Sequence, residues 1–162
     1  HSDSSAASDV YKRQILNGLS MPLNMNYYVP GFQNFLMEEI MSDKEEISKV
    51  IQTYIDGMNF SSAEKTKAAF HQNASIVGYL HGDFMEMTLA DFSGFVLSQQ
   101  PSPHDSSNDV TYEVLDVAIE GHTAHVKVKD VYLGITFIDT LSLIKVDDQW
   151  KIYNKLFHVQ QN

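Results

Sequence analysis

Apolar residues recur at steps of three and four from position 47. Ile47, Val50, Ile51, Tyr54, Ile55 and Met58 fall on one stripe of a helix. Ser42-Asp43-Lys44-Glu45 has the form of a capping box and predicts that this helix starts at Ser42; Gly57 and Asn59 suit its end. A second box, Ser61-Ser62-Ala63-Glu64, predicts a shorter helix reaching about Phe70. Residues 74–79 then read as extended, and His81-Gly82-Asp83 as the turn of a hairpin that continues to Met87. Thr88-Leu89-Ala90-Asp91 predicts a third helix that buries Leu89, Phe92, Phe95 and Val96. The stretch 99–109, rich in Ser, Pro and Asp, reads as a loop.

From Val110 the period becomes two. Four β-rich segments, 110–119, 122–133, 135–146 and 149–159, are separated by Glu120-Gly121, Gly134 and Asp147-Asp148, all suited to tight turns. The pattern is an antiparallel meander. Helix, helix, hairpin, helix and four strands make an α+β chain, in which a strongly curved antiparallel sheet wraps the long first helix as a cone with an apolar pocket at its open end.

Four stretches carry a family resemblance: Ile51-Gln52-Thr53-Tyr54-Ile55-Asp56-Gly57, Phe70-His71-Gln72-Asn73-Ala74-Ser75-Ile76, Phe137-Ile138-Asp139-Thr140-Leu141-Ser142-Leu143 and Trp150-Lys151-Ile152-Tyr153-Asn154-Lys155. With the element order they resemble the nuclear-transport-factor-2-like superfamily, of cystatin-like fold, and within it the lumazine-binding and SnoaL-like groups. The resemblance spans nearly all of 44–158. One departure is that the family commonly places Pro-Asp or Pro-Glu after the helix-two histidine, where this chain has Gln72-Asn73 after His71. The resemblance implies a domain that binds a small molecule in its cone.

Composition changes this picture at the amino-terminal end. Residues 4–14, SSAASDVYKRQ, resemble the translated adapter of transposon-based short-read sequencing, and 15–40 read as translated upstream DNA, so 1–40 is expected to be a non-native or disordered leader. Met37-Glu38-Glu39-Ile40 can be encoded by ATG GAG GAG ATT, which sets a ribosome-binding GGAGG before Met41. Met41, or else Met37, is the expected start, and 41–162 the single domain. The uncharged run 15–37 contains Pro22, Pro30, Gly18, Gly31 and four Asn, a poor membrane span. With no signal peptide assigned, a cytoplasmic protein is expected.

The 162 residues are 43% hydrophobic and carry a net charge of −10 with no cysteine. Thiolate nucleophiles and Cys-ligated zinc are thereby excluded, and the acidic balance argues against a nucleic-acid partner. No Gly-rich phosphate loop or serine nucleophile elbow occurs. His122 and His125 fall on opposite strand faces, so they cannot jointly hold a metal. No cofactor and no metal are expected.

Alternation places Ala124, Val126, Val128, Asp130 and Tyr132 on one face, and His125, Lys127 and Lys129 on the other, polar one. The first face is therefore read as concave. In the next strand Phe137, Asp139, Leu141 and Leu143 share a face; in the last, Trp150, Ile152, Asn154, Leu156 and His158 do. Asp139 is thus a carboxylate on a mainly apolar face, where burial without partners raises its pKa. Superfamily enzymes resembling ketosteroid isomerases and polyketide cyclases use such a carboxylate as a proton shuttle. That makes Asp139 a candidate general base, with Tyr54, Tyr79 or Tyr112 as hydrogen-bond donors. The alternative is that Asp139 pairs with Lys155 or a strand neighbour and only holds the sheet together; alternation does not decide whether Lys155 reaches that face.

Candidate pocket residues are Tyr54, Met58, Tyr79, Phe84, Phe92, Phe137, Asp139, Trp150 and Asn154. The expected partners are a small apolar or aromatic molecule and a second copy of the chain, paired through the outer sheet face. Two other readings stay open: a cofactor-independent isomerase, cyclase or dehydratase, and a dimeric assembly module without ligand.

Overall fold

The computed structural model describes residues 31–161, and the expectations for 4–14 and for 15–30 lie outside the described residues. The compact unit that carries the fold is Glu38–Asn162.

Helix α1 (Phe32–Asn59) begins well before the predicted cap at Ser42. Residues 32–41 contain no Gly or Pro, and Leu36, Met37, Glu38, Glu39 and Met41 are good helix formers, so nothing stops the helix there. Ser42 is exposed within the helix and caps nothing, while Asp43 turns into the core. Downstream the apolar stripe is as expected: Ile47, Ile51, Tyr54, Ile55 and Met58 are all buried. Each such side chain contributes about 1.5–3 kcal/mol on leaving water.

Helix α2 (Ala63–Ala69) is capped by Ser62, whose side chain accepts from the Lys65 amide at 3.2 Å. The cap is one residue later than the box Ser61–Glu64 implies. Ser61 instead takes a left-handed conformation (φ +48°) and donates to the Gln99 carbonyl. Gly57 allows α1 and α2 to close on each other, since a Cβ there would lie 2.6 Å from Thr66 Oγ1 and 2.9 Å from its backbone nitrogen.

Strands β1 (Phe70–Leu80) and β2 (Asp83–Thr88) form a hairpin through His81 and Gly82, both at positive φ (+52° and +91°). Two successive left-handed residues make the turn whose twist matches paired strands. Helix α3 (Leu89–Ser98) starts from a complete capping box: the Asp91 amide donates to Thr88 Oγ1, and the Thr88 amide donates to Asp91 Oδ2. Thr88 Oγ1 also donates to Asp91 Oδ2 at 2.8 Å, and this bond, then that from the Thr88 amide, holds the Asp91 carboxyl below its usual range.

Strands β3 (Thr111–Glu120), β4 (Thr123–Tyr132), β5 (Ile135–Val146) and β6 (Gln149–Val159) follow the predicted segments to within one residue at each end. Leu133-Gly134 and Asp147-Asp148 are tight turns, again with both residues at positive φ. The six strands form one sheet in the order β2-β1-β6-β5-β4-β3, antiparallel throughout except for the parallel β1–β6 pair. The chain therefore has an α+β fold in which a curved, unclosed sheet covers α1.

One irregularity decides the chemistry of the concave face. In the β5–β6 ladder Ser142 faces Asn154, but Leu143 faces Ile152, so Tyr153 is an extra residue on β6. Such a bulge inverts the alternation beyond it. Trp150 and Ile152 are buried on the concave side, and after the bulge so is Lys155, with Phe157 partly buried beside it. Asn154, Leu156 and His158, expected on the concave face, are thereby turned outward; Leu156 is half exposed, and Asn154 Nδ2 donates to Ser75 Oγ at 2.8 Å.

Candidate functional site

A cavity of about 280 Å³ lies among the β1–β2 turn, the β4–β5 turn and α3. Its wall is mostly apolar: Met58 from α1, Phe92 and Phe95 from α3, Met85 and Met87 from β2, and Phe137 and Phe157 from the facing strands. The polar side chains that reach it include Asp130, Tyr132, Lys155 and His81.

Behind this wall three side chains form a closed network. Lys155 Nζ, on β6, is paired with Asp139 Oδ2, on β5. Tyr54 Oη, on α1, donates to the same Oδ2 at 2.9 Å and accepts from Lys155 Nζ at 2.5 Å. Asp139 and Tyr54 are wholly buried, and Lys155 is 5% exposed. Burial, and next the Asp139 charge, push the Tyr54 phenol well above its ordinary value. Tyr54 is thus a neutral donor, and both groups hold the ammonium in place.

Asp130 differs. It stands on β4 diagonally across from Asp139, since Val128 faces Asp139 and Asp130 faces Phe137. It is 1% exposed, and among the described residues neither of its carboxyl oxygens has a hydrogen-bond partner; nor do Asp139 Oδ1 and Tyr132 Oη. Burial raises the Asp130 carboxyl to about 7, with the Lys155 ammonium opposing and Asp139 adding to the rise. Two ionised carboxylates offer only acceptors to each other, whereas a proton on Asp130 makes it a donor toward Asp139. Burial, together with the Asp130 charge, also pushes Tyr132 up to about 12.

The cavity therefore holds a carboxyl that exchanges its proton near neutral pH, a phenol and an ammonium, set against hydrocarbon. Such a site can orient the polar end of an apolar molecule or pass a proton to it.

The structure brings together only part of the predicted set. Met58, Phe92 and Phe137 line the cavity. Asp139 and Tyr54 lie behind it, in the ion-pair network that was the alternative reading of Asp139. Tyr79 and Phe84 are on the outer face, 62% and 59% exposed, with ring centroids 5.6 Å apart. Ile76 sets the inward phase of β1, so Tyr79 points outward, and Phe84, directly opposite it, does the same. Tyr112 Oη donates to Gln52 Oε1 of α1 at 2.6 Å and is not part of the cavity wall. Trp150 is buried elsewhere in the core, its Nε1 donating to Asp43 Oδ1 at 2.8 Å, and Lys145 Nζ donates to the same oxygen. Asn154 is displaced outward by the bulge.

Asp130 and Lys155 are the polar groups that sequence reasoning passed over at the cavity itself. The alternation of β4 did place Asp130 on the concave face beside Tyr132. The signal was an acid near the end of an otherwise apolar strand face, where a cavity wall meets its mouth. Among the described residues no group of three or more His, Asp or Glu could hold a metal ion, and no helix is long and apolar enough to cross a membrane.

The family described as Putative lumazine-binding matches residues 42–158. An aldolase, FrzH, from a Cladobotryum species is 26% identical over 120 residues, covering 72% of this chain and 91% of the relative. An NTF2-like protein of unknown function from Silicibacter pomeroyi superposes with a TM-score of 0.69 at 19% identity, covering 75% of this chain and 98% of its own. Another, from Methylobacillus flagellatus, gives a TM-score of 0.66 at 27% identity, covering 74% and 94%.

Proposed function

We propose, from the fact that this chain belongs to the Putative lumazine-binding family, that its cavity binds a small, largely apolar or aromatic molecule through a polar edge turned toward Asp130. The observation that carries this reading is the polar end of an otherwise hydrocarbon cavity, where Tyr132 Oη and the Asp130 oxygen not turned toward Asp139 have no partner among the described residues. Buried acceptors and hydroxyls without partners cost about 1–3 kcal/mol each, so a ligand that satisfies them is favoured beyond its apolar contact. The volume of about 280 Å³ falls just below the range of roughly 300–1,000 Å³ for ligand pockets, which suits one or two fused rings. The test is a thermal-shift panel of heteroaromatic compounds, lumazine among them, on the 162-residue chain and on Phe137→Ala. A compound that raises the wild-type Tm and fails to raise that of Phe137→Ala supports the reading. A broad panel that shifts neither overturns it.

A second reading, a cofactor-independent enzyme, is favoured by two observations. The Cladobotryum relative is an aldolase, and Asp130, with its carboxyl raised to about 7, suits general acid–base work at neutral pH. In this reading Asp130 takes the proton-shuttle role expected of Asp139. Deuterium exchange at the α-carbon of an apolar ketone, followed by NMR, tests it: exchange lost in Asp130→Asn supports it, and equal exchange with and without protein sinks it.

A further inference from the structure

From the geometry around its ammonium group, we infer that Lys155 captures the carbonyl group of an apolar aldehyde or ketone as a covalent iminium. This rests on the reading of the cavity as a small-molecule site. Lys155 is the one lysine lining the cavity among the described residues, and its Nζ sits among the rings of Tyr54, Phe137 and Phe157 at 5.1–5.8 Å. Two of its three protons are committed, one to Asp139 and one to Tyr54. Because Lys155 also forms part of the cavity wall, an apolar carbonyl compound held there meets this amine in hydrocarbon surroundings that exclude water, and buried lysines in such surroundings serve as carbonyl nucleophiles.

The ion pair with Asp139 does not forbid the step, because it provides the first proton acceptor. Lys155 passes one proton to Asp139 along their hydrogen bond, and the freed electron pair forms the carbon–nitrogen bond. Asp130 protonates the carbonyl oxygen, giving a carbinolamine whose nitrogen returns a second proton to Asp130. Asp139 hands its proton to the hydroxyl, the carbon–oxygen bond breaks, and the nitrogen lone pair forms the double bond as water leaves. In net balance water takes two protons, one stays on the iminium nitrogen, and Asp130 regains its own. Both carboxyls end in the ionisation states in which they began, with no oxidant or reductant. The product keeps the single positive charge beside Asp139, so the electrostatics that hold the ammonium hold the iminium equally. An iminium also acidifies the neighbouring C–H bonds.

The test is reductive trapping of the full chain with phenylacetone and sodium cyanoborohydride at pH 7, read by peptide mass mapping. Lys155 is expected to carry the adduct about tenfold or more over exposed Lys127 and Lys129, with the preference lost in urea. Lys155→Arg, which keeps the charge, should abolish the preferred adduct. Labelling of Lys155 no greater than that of Lys127 overturns the inference. A thermal shift by phenylacetone without reductant separates the two readings: stabilisation with no trapping at Lys155 leaves the binding site standing and removes the covalent step.

Discussion

Asp139 and Lys155 meet on the concave face because Tyr153 is an extra residue on β6, which turns the strand over before Lys155 is reached. Without the bulge, the alternation set by Trp150 and Ile152 carries Lys155 to the outer face and leaves the buried Asp139 carboxylate without its counter-charge. The pair is thus a product of register as much as of residue identity.

Its energetics follow from burial. Lys155→Met removes the counter-charge and should cost about 3–5 kcal/mol of stability, the penalty for an uncompensated buried charge. Adding Asp139→Leu should recover most of that loss, since an apolar pair of similar volume tolerates the site. Urea unfolding of both variants checks this; a double variant that loses as much as the two single losses summed contradicts it.

Asp130 makes stability depend on pH in the direction opposite to that of an ordinary paired carboxylate. In the folded chain it keeps its proton up to about pH 7, whereas its ordinary value is 3.8. Between these values the folded state binds more protons than the unfolded one, so stability falls as the pH rises, and the full cost persists above 7. The charged groups that set the effect are Lys155 and Asp139. Asp130→Asn should match the wild type near pH 4 and exceed it at pH 8.5 by roughly 2–4 kcal/mol, at about 1.4 kcal/mol per pH unit. Urea midpoints at the two pH values decide; a variant less stable at pH 8.5 refutes the sign.

Much of the fold was legible because local signals and tertiary packing agree in it. The tight turns at Leu133-Gly134 and Asp147-Asp148 delimit strands whose alternation continues unbroken, so β4 and β5 can be read from sequence alone. The site was less legible, for physical reasons. A bulge such as that at Tyr153 adds a residue without adding any local signal, and every inference past it inherits the wrong face. A capping box at Ser42 is permissive, and it does not end a helix whose upstream residues also favour one. Asp130 and Asp139 were both read as concave, but which one touches a cavity depends on depth along the cone, and a period of two carries no depth.

Asp43 illustrates the same point with a measurable consequence. Read as part of a cap, it instead accepts from Trp150 Nε1 and Lys145 Nζ, each at 2.8 Å, and holds the Lys145 ammonium above its usual range. Asp43→Ala leaves a buried indole N–H without an acceptor and should cost about 1–3 kcal/mol. Trp150 is the only tryptophan, so its emission reports on this site alone. A red shift together with a lowered Tm is expected; unchanged emission would show that the bond does not hold the ring.

The outer aromatic pair provides a control for the cavity. Tyr79→Ser and Phe84→Ser, both on the outer face, should leave the binding of an apolar dye such as anilinonaphthalene sulfonate within about twofold of wild type. Phe137→Ala, on the cavity wall, should change it about tenfold or more, the scale of losing about 1.4 kcal/mol of contact. Fluorescence titration compares them, and equal effects from the two faces would move the binding site off the cavity.

The position of β6 between β1 and β5 has a kinetic consequence. It is the strand that joins the β2–β1 hairpin to the β5–β4–β3 meander, so the two halves of the sheet stay separate until residues 149–159 have docked. Pairing β1 with β6 closes a loop from Phe70 to Ile152, and such long-range closure lowers folding rates. The hairpin and the meander can each pair locally and early, whereas the cavity, whose wall needs Phe157 and Lys155, forms only in the last step. Pulse-labelled hydrogen exchange should show amides of the β1–β2 and β4–β5 ladders protected before those bonded across the β1–β6 ladder, with ligand affinity appearing together with the later set.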